Sequence, residues 1–446
     1  MIKRELPKDV HYILKKLHHH GHEAFIVGGC VRDLMLGKVP KDWDLTTSAE
    51  PSQVKALFSR TVDTGLEHGT VTILKNKIGY EITTYRVDGK YENHRRPKAV
   101  AFTKCLKEDL KRRDFTINAM AYNEESGFID LFGGEEDLKR GIIRCVGDPD
   151  ERFHEDALRM LRAIRFAARF GFEIESETGR AITLLSKLIE KISAERIKME
   201  LTQILCSKNP DYISKLVHYG LMPYVIPEFM SCVNLSQNHP YHIYEVDEHT
   251  YRALKEVKRT EALRWAIFLH DIGKGYSKTT DDEGVDHFYG HSKISVELSK
   301  TILSRLKFDN KTKNHILKLI AYHDYRFEPN AKSLRKAVAH MGVDMFIDYM
   351  AVQEADVRAQ APSKLQERLD DLEVKKQYFE ALMASKHCLT IQDLNIRGKD
   401  LMDLGVEKGE RIGILLKALL ELVIEEPELN KKKLLLEKAE ILIHKG

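Results

Sequence analysis

The sequence predicts an α+β fold: a small mixed sheet with helices fills the N-terminal third, and an all-helical neck, middle domain and tail follow. Two observations carry this expectation. Up to about residue 147 the apolar runs FIVGG, DLTT, TVTIL, YEITTY and AMAYN read as strands separated by turn formers and by helical stretches such as PSQVKALF. From about Asp148 the strand signals stop, and segments such as ALRMLRAIRFAARF and RIGILLKALLELVI place apolar residues at helical spacing. A third observation sets the number of parts. A chain of 446 residues exceeds one ordinary core. Turn-forming stretches CVGDPDERF, MPYVIPEF with SQNHPYH, and APSK divide it into residues 1–147, 148–235, 236–360 and 361–446.

Bulk composition narrows the class. Apolar residues make up 43% and charged residues 31%, the balance of a soluble globular protein. No run approaches the roughly 20 apolar residues of a membrane span, and the basic start lacks the apolar core of a secretory signal, so a cytoplasmic protein is expected. The six cysteines form no CxxC pair, which implies neither a disulfide framework nor a cysteine zinc site. With 71 basic and 68 acidic residues the net charge is +3, which excludes an overwhelmingly basic nucleic-acid coat, so any RNA contact must come from local clusters. His18–His20 and His22 read as a solvated helix end.

The segment FIVGGCVRDLMLGKVPKDWDLTT carries the strongest chemistry. An apolar strand ends at Gly28 and Gly29, a helix follows with Arg32 in its first turn, and a second strand is expected to bring Asp42 and Asp44. Side chains at i and i+2 of a strand leave on one face, so both carboxylates can hold the same one or two Mg2+ ions while Trp43 points the other way into packing. Mg2+ favours carboxylate and phosphate oxygens. The glycines let backbone N–H groups approach a triphosphate, beside a helix N-terminus. Glu81 on YEITTY is the candidate third carboxylate.

GGxVRD followed by DxD resembles the DNA polymerase β superfamily, and specifically the class II tRNA nucleotidyltransferase and bacterial poly(A) polymerase family. Further stretches match in order. RRDFTINAMAYN is similar to the family's second motif, which implies that Arg113 contacts the nucleotide phosphates. DLFGG (Asp130 to Gly134) resembles an element proposed to act as a spring between domains.

HEDALRMLRAIRFAARF spaces Asp156, Arg159, Arg162 and Arg165 three apart, which predicts one polar stripe on a helix opposite Leu158, Leu161 and Ile164. The resemblance implies that Asp156 and Arg159 read the Watson–Crick edges of CTP and ATP. A carboxylate suits the exocyclic amino group shared by C and A, while arginine donates to ring acceptors. Arg162 and Arg165 are expected to help bind the nucleotide. SAERIKMEL resembles a fifth, helix-capping motif, which makes Glu195 and Arg196 structural. The polar stretch between Tyr85 and Phe102 falls where the family carries a flexible loop needed to switch from C to A addition.

A second constellation follows. His249, then His270-Asp271, then Asp324 resembles the HD phosphohydrolase superfamily, a ligand set suited to Ni2+, Mn2+ or Mg2+. His287 and His291 lie between and are candidates for a second metal or for phosphate contact. Lys/Arg clusters beyond residue 361, KKK at 431–433 among them, suit tRNA phosphates or a solvated face equally.

The expected function is template-independent addition of C and A to the tRNA 3′ end. The terminal hydroxyl attacks the α-phosphate of CTP or ATP and expels pyrophosphate, and a phosphatase or 2′,3′-cyclic phosphodiesterase activity is added by the HD region. Alternatives are an A-adding enzyme, a poly(A) polymerase, or an RNA-binding HD hydrolase with an inactive head. The oligomeric state is not fixed by sequence.

Overall fold

The computed structural model describes residues 6–89, 91–92, 96–97, 100–238, 243–385 and 388–445. They form two compact units. One runs to Met230 and includes Arg305–Lys307, and the other holds Ser231–Ser304 and the residues from Phe308 onward.

In the first unit, helix α1 (Lys8–His19) buries Val10, Ile13, Leu14 and Leu17, the one-sided spacing of an amphipathic helix. His19 and His20 at its end are exposed. Seven strands make the main sheet: β1 (Ala24–Val27), β2 (Asp44–Thr47), β3 (Thr61–Gly65), β4 (Thr70–Lys75), β5 (Ile78–Thr84), β6 (Met120–Asn123) and β7 (Gly127–Asp130). Their order across the sheet is β7-β6-β1-β2-β5-β4-β3. Neighbours run antiparallel except β2 and β5, which are parallel with Asp44 opposite Glu81. The five expected strands are present. The two edge strands were not expected, because β3 is exposed at its three central positions and β7 is half-buried throughout, so neither shows the apolar alternation that marks a buried face.

Helices α2 (Gly29–Met35), α3 (Pro51–Leu57), α4 (Leu106–Lys111) and α5 (Gly134–Arg140) complete this part. Phe25, Val27, Tyr85, Leu110 and Ala121 form one core cluster between sheet and helices. Helix α6 (Pro149–Glu155) starts on Asp148, whose side chain accepts from the Asp150 N–H, with Pro149 in the first turn. Helix α7 (Leu158–Phe170) buries Leu158, Leu161, Ile164 and Ala167. Helix α8 (Ser176–Leu185) packs against α6, and α9 (Ala194–Leu205) packs against α7.

The second unit is helical: α10 (Val246–Glu256), α11 (Glu261–Leu269), α12 (His291–Arg305), α13 (Asn310–Tyr322), α14 (Ala331–Met341), α15 (Val343–Arg358), α16 (Pro362–Ala384), α17 (Glu410–Glu425) and α18 (Lys432–Lys445). One hairpin interrupts it, β8 (Thr279–Thr280) with β9 (Asp286–His287). Helix α11 buries Leu263, Trp265, Ala266, Ile267, Phe268 and Leu269, the signature of a central helix, and delivers His270 and Asp271 at its buried end.

Candidate active sites

The first site lies in the first unit, at the ends of β1 and β2. Gly28 follows β1 with φ +75°, and a Cβ there would sit 3.0 Å from Arg113 Nη1. Only glycine meets both demands. Asp44 is the first residue of β2, whereas Asp42 lies before the strand. This corrects the expectation of one strand carrying both; Trp43 is only half-buried. Although Asp44 is an exposed residue, crowding around its carboxyl raises the pKa first, and the Asp42 charge adds to it, while Arg113 and Arg32 pull it back. The two carboxylates and two arginines therefore share one electrostatic neighbourhood.

Arg32 is 3% exposed. It donates to Asp33 at 2.9 and 3.1 Å and to Asn118 Oδ1, and its guanidinium lies 4.9 Å from the Phe170 ring centroid. Arg113 is anchored by buried Asp109 at 3.4 Å; Asp109 also accepts from Arg112 at 2.7 Å and from Thr46 at 3.1 Å. Burial would raise the Asp109 pKa, yet Arg112 and Arg113 hold it below the usual carboxylate range. Glu81 is exposed on β5 beside Asp44. Among the described residues Asp42, Asp44 and Glu81 do not form a set whose ligand atoms all lie within 4.8 Å of one another.

Asp156 is not on a helix. It terminates α6 in extended conformation, and α7 begins at Leu158. The expected stripe is therefore broken at its first member. Asp156 accepts from the Leu158 N–H at 3.1 Å and from Arg196 at 2.7 and 3.3 Å. Arg196, expected to be only structural, thus touches the proposed base reader. Arg159 is 8% exposed and donates to Glu155 at 2.5 Å, to the Arg112 carbonyl at 3.0 Å and to the Arg152 carbonyl at 3.2 Å. Arg162 pairs with Asp114 at 2.6 Å, and Arg165 with the fully buried Glu200 at 2.9 Å. Rather than a solvated face, these residues form a partly buried network of alternating charge. Residues 90, 93–95 and 98–99 of the segment between Tyr85 and Phe102, where the C-to-A loop was expected, lie outside the described residues.

The second site lies within the second unit. His249 on α10, His270 and Asp271 after α11, His291 opening α12, His323 closing α13 and Asp356 on α15 converge. His270 Nε2 is 3.2 Å from Asp271 Oδ2 and 3.6 Å from Asp356 Oδ1, and His249 Nε2 is 3.0 Å from Asp356 Oδ1. On the other side of Asp271, Oδ1 is 3.4 Å from His291 Nε2 and 3.7 Å from His323 Nε2, and these two nitrogens are 3.0 Å apart. Asp324 is not in the set. Helix α13 ends at Tyr322, so His323 turns inward and Asp324 outward, its side chain 52% exposed and 3.4 Å from Arg326; Asp356 fills the position expected for it. His287 is likewise outside, held by Asp281 at 2.7 Å.

The tautomers bear on what this cluster can hold. The Nδ1 of His249, His270, His291 and His323 lie 3.2, 2.7, 2.9 and 2.6 Å from the carbonyls of Ala359, Ile267, Phe288 and Ile320. A carbonyl only accepts, so each Nδ1 carries the proton and each neutral Nε2 offers a lone pair. Four lone pairs and two carboxylates thus face one another, and His270 Nε2 is buried without a hydrogen-bond partner. Burial would push the His270 imidazole down, but Asp271 and Asp356 raise its pKa to about 10, so in the absence of a cation its Nε2 carries a proton, and the lone pair is freed when a cation displaces that proton. The cluster calls for positive charge, and imidazole with carboxylate is a donor set that fits a divalent cation.

Comparison with known proteins identifies the family. Residues 24–144 match the poly A polymerase head domain, residues 171–232 a probable RNA and SrmB-binding site of polymerase A, and residues 279–439 a putative tRNA nucleotidyltransferase domain 2. The CCA-adding enzyme of Ligilactobacillus salivarius is 36% identical over 442 residues, covering 99% of this chain and 96% of the relative. That of Levilactobacillus brevis is 37% identical over 411 residues, 91% of this chain and 90% of the relative. Among solved structures, the Bacillus stearothermophilus CCA-adding enzyme in complex with CTP superposes with a TM-score of 0.74 at 28% identity, covering 98% of this chain and 99% of that one. The Thermotoga maritima CCA-adding enzyme complexed with tRNA shares the fold, with a TM-score of 0.64 at 22% identity over 99% of this chain and 97% of that one. With a paired-aspartate head and a relative alike along almost its whole length, the chain belongs to the CCA-adding enzymes, the tRNA nucleotidyltransferases.

Proposed function

We propose that the chain adds C and A from CTP and ATP to the 3′ end of tRNA, releasing pyrophosphate. The observation that carries this reading is the neighbourhood of Asp42, Asp44, Gly28, Arg32 and Arg113 in a chain alike to CCA-adding enzymes over 99% of its length. Asp42 and Asp44 would hold Mg2+, which supplies charge neutralisation of the triphosphate and activation of the attacking hydroxyl. Gly28 leaves the backbone open to the phosphates, and Arg113 and Arg32 set positive charge beside them. Asp156 has about four lone-pair sites. Arg196 and the Leu158 N–H use three, which leaves capacity on Oδ2 for the exocyclic amino group of C or A. Uracil has no such donor, and Arg159 fixes the other edge. The cytoplasm, where tRNA is found, is the compartment this reading requires; among the described residues no helix is long and apolar enough to cross a membrane. The four-part division into 1–147, 148–235, 236–360 and 361–446 is kept, and the unit boundary at Met230 supports its second break.

Incubation with tRNA lacking CCA and single labelled nucleotides tests this. Asp42→Ala should abolish incorporation while the melting temperature stays within a few degrees of wild type; retained activity rejects the mechanism.

A second activity is favoured by one observation, the convergence of four histidine Nε2 atoms on Asp271 and Asp356. His249, His270, Asp271 and Asp356 would hold one divalent cation, and Asp271, His291 and His323 a second. Such a cation supplies water activation at neutral pH and polarisation of a phosphoryl oxygen. The reading is a phosphomonoesterase or 2′,3′-cyclic phosphodiesterase. With Ni2+, Mn2+ or Mg2+ added, hydrolysis should appear and should be lost in Asp271→Ala while nucleotide addition persists. No hydrolysis with any of the three would end this reading.

A further inference from the structure

The cavity over the histidine–aspartate cluster is about 330 Å3 in volume, and its lining includes Asp271, Lys274, His287, Tyr289, His291 and Arg326. Its floor is the cluster. Lys274, 5% exposed, sits there with Nζ 2.7 Å from Asp271, and Arg326, with a side chain 48% exposed, stands on the wall. The carboxylates of Asp286, Asp324 and Asp356 also line the cavity, so the floor suits anionic phosphate when the cluster holds its divalent cations.

The cluster does not require the rim. Tyr289 is 77% exposed, yet its ring is not loose. It lies parallel on the His287 imidazole, centroids 5.2 Å apart and planes at 9°. His287 is fixed in turn, because its Nε2 is 2.7 Å from Asp281 Oδ2 and its backbone is paired in the β8–β9 hairpin. Asp281 also accepts the N–H groups of Glu283 and Val285 that close that hairpin. One exposed aromatic ring is ordinary on a protein surface. A ring held flat on a second, anchored ring at the mouth of a phosphate-type cavity is instead a stack with one open face.

We propose that Tyr289 is a base platform: the cavity takes phosphate esters of nucleosides, with the phosphate on the floor and the nucleobase stacked on the outer face of Tyr289. The proposal rests on the hydrolase reading above. The reaction balances as hydrolysis. A water oxygen bonds to phosphorus, the phosphorus–oxygen bond to the nucleoside breaks, and the water proton ends on the leaving oxygen, giving nucleoside and phosphate. Every base has a π-face, so Tyr289 should favour nucleosides over ring-free alcohols without choosing among A, C, G and U. A free nucleotide and a phosphate-ended RNA share this chemistry.

Calorimetric titration of the full chain loaded with Mn2+ tests the platform, with a non-hydrolysable adenosine phosphonate and with methylphosphonate as ring-free control. Tyr289→Ala should weaken the adenosine phosphonate roughly ten- to hundredfold, the range of base–aromatic stacking, and leave methylphosphonate and bound Mn2+ unchanged. Tyr289→Phe keeps the ring and loses only the 3.4 Å contact of the hydroxyl with His287 Nδ1, so it should bind the adenosine phosphonate within about threefold of wild type, well short of the loss in Tyr289→Ala. Equal weakening of both probes, or of neither, overturns the platform. If the wild-type chain binds neither phosphonate, the hydrolase reading itself has failed, and the platform with it. Among substrates, a rise in KM on Tyr289→Ala for adenosine 3′-monophosphate alone assigns free nucleotides; the same rise for a short RNA ending in 3′-phosphate assigns RNA ends.

Discussion

Arg196 shows how a single side chain redistributes roles. Its two bonds to Asp156 are charge-assisted and hold a carboxylate that belongs to no helix. Arg196→Ala removes both bonds and should let that carboxylate rotate, so the preference for CTP and ATP over UTP and GTP should fall at least about tenfold, the scale of a lost charged hydrogen bond. Single-nucleotide incorporation measures it; an equal loss for all four nucleotides would mean that Arg196 only supports the fold. Other residues were harder to read. Asp109 and Glu200 are both fully buried, yet a buried carboxylate looks like any surface acid in a sequence. Glu200 left one trace: with Ile197, Leu201 and Ile204 it completes a stripe of buried positions on α9, an acid where the spacing demands an apolar residue. Asp356 left none, because the histidine-then-aspartate pattern is satisfied by the adjacent Asp324, and only tertiary packing separates them.

At the scale of elements, the apolar runs marked five of seven strands because each has a face buried in the sheet; the edges β3 and β7 have no such face to betray them. The break between α6 and α7 was hidden for a related reason, since spacing by three continues across residues 155–158 whether or not the backbone does. DLFGG acquires a local explanation: Asp130 accepts the N–H groups of Phe132, Gly134 and Glu135 and so starts α5, while a Cβ on Gly134 would meet the Thr116 carbonyl at 2.3 Å. The β8–β9 hairpin makes a testable element. Asp286 accepts from Lys278, Thr280 and the Asn238 N–H at 2.7–2.8 Å, and although burial opposes it, these partners bring its pKa down to about 2. Its ordinary value is near 3.9. The unfolded chain therefore takes up the proton first, and the stabilisation, full above about pH 5, is lost as pH falls toward 2. Asp286→Asn should flatten the acid-side increase in hydrogen exchange of residues 279–287; an unchanged profile would remove Asp286 from the account.

Across the whole molecule, the sequence carried the α+β order and the helical remainder, because hydrophobic period survives without tertiary knowledge. It did not carry the partition into two compact units, which depends on contacts far apart in the chain. Each unit holds its own candidate site, so a ligand of one should stabilise only that unit. A cation that binds the folded second unit and not its unfolded chain adds about 2.7 kcal/mol at a hundredfold excess over Kd. Differential scanning calorimetry with Mn2+ should raise the transition assigned to residues 231–446 by several degrees, and Asp271→Ala should cancel the rise. A shift of equal size in the variant would place the cation elsewhere.

The position of Asp44 has one more consequence. Strand β2 is bonded on both sides, to β1 and to β5, whereas Asp42 sits just outside it on the connection from α2. The pair therefore joins one carboxylate fixed by the sheet to one carried by a tether. Lengthening or shortening residues 37–41 would displace Asp42 and spare Asp44, which makes that connection the natural place for a lineage, or a designer, to retune the distance between the two charges without disturbing the fold.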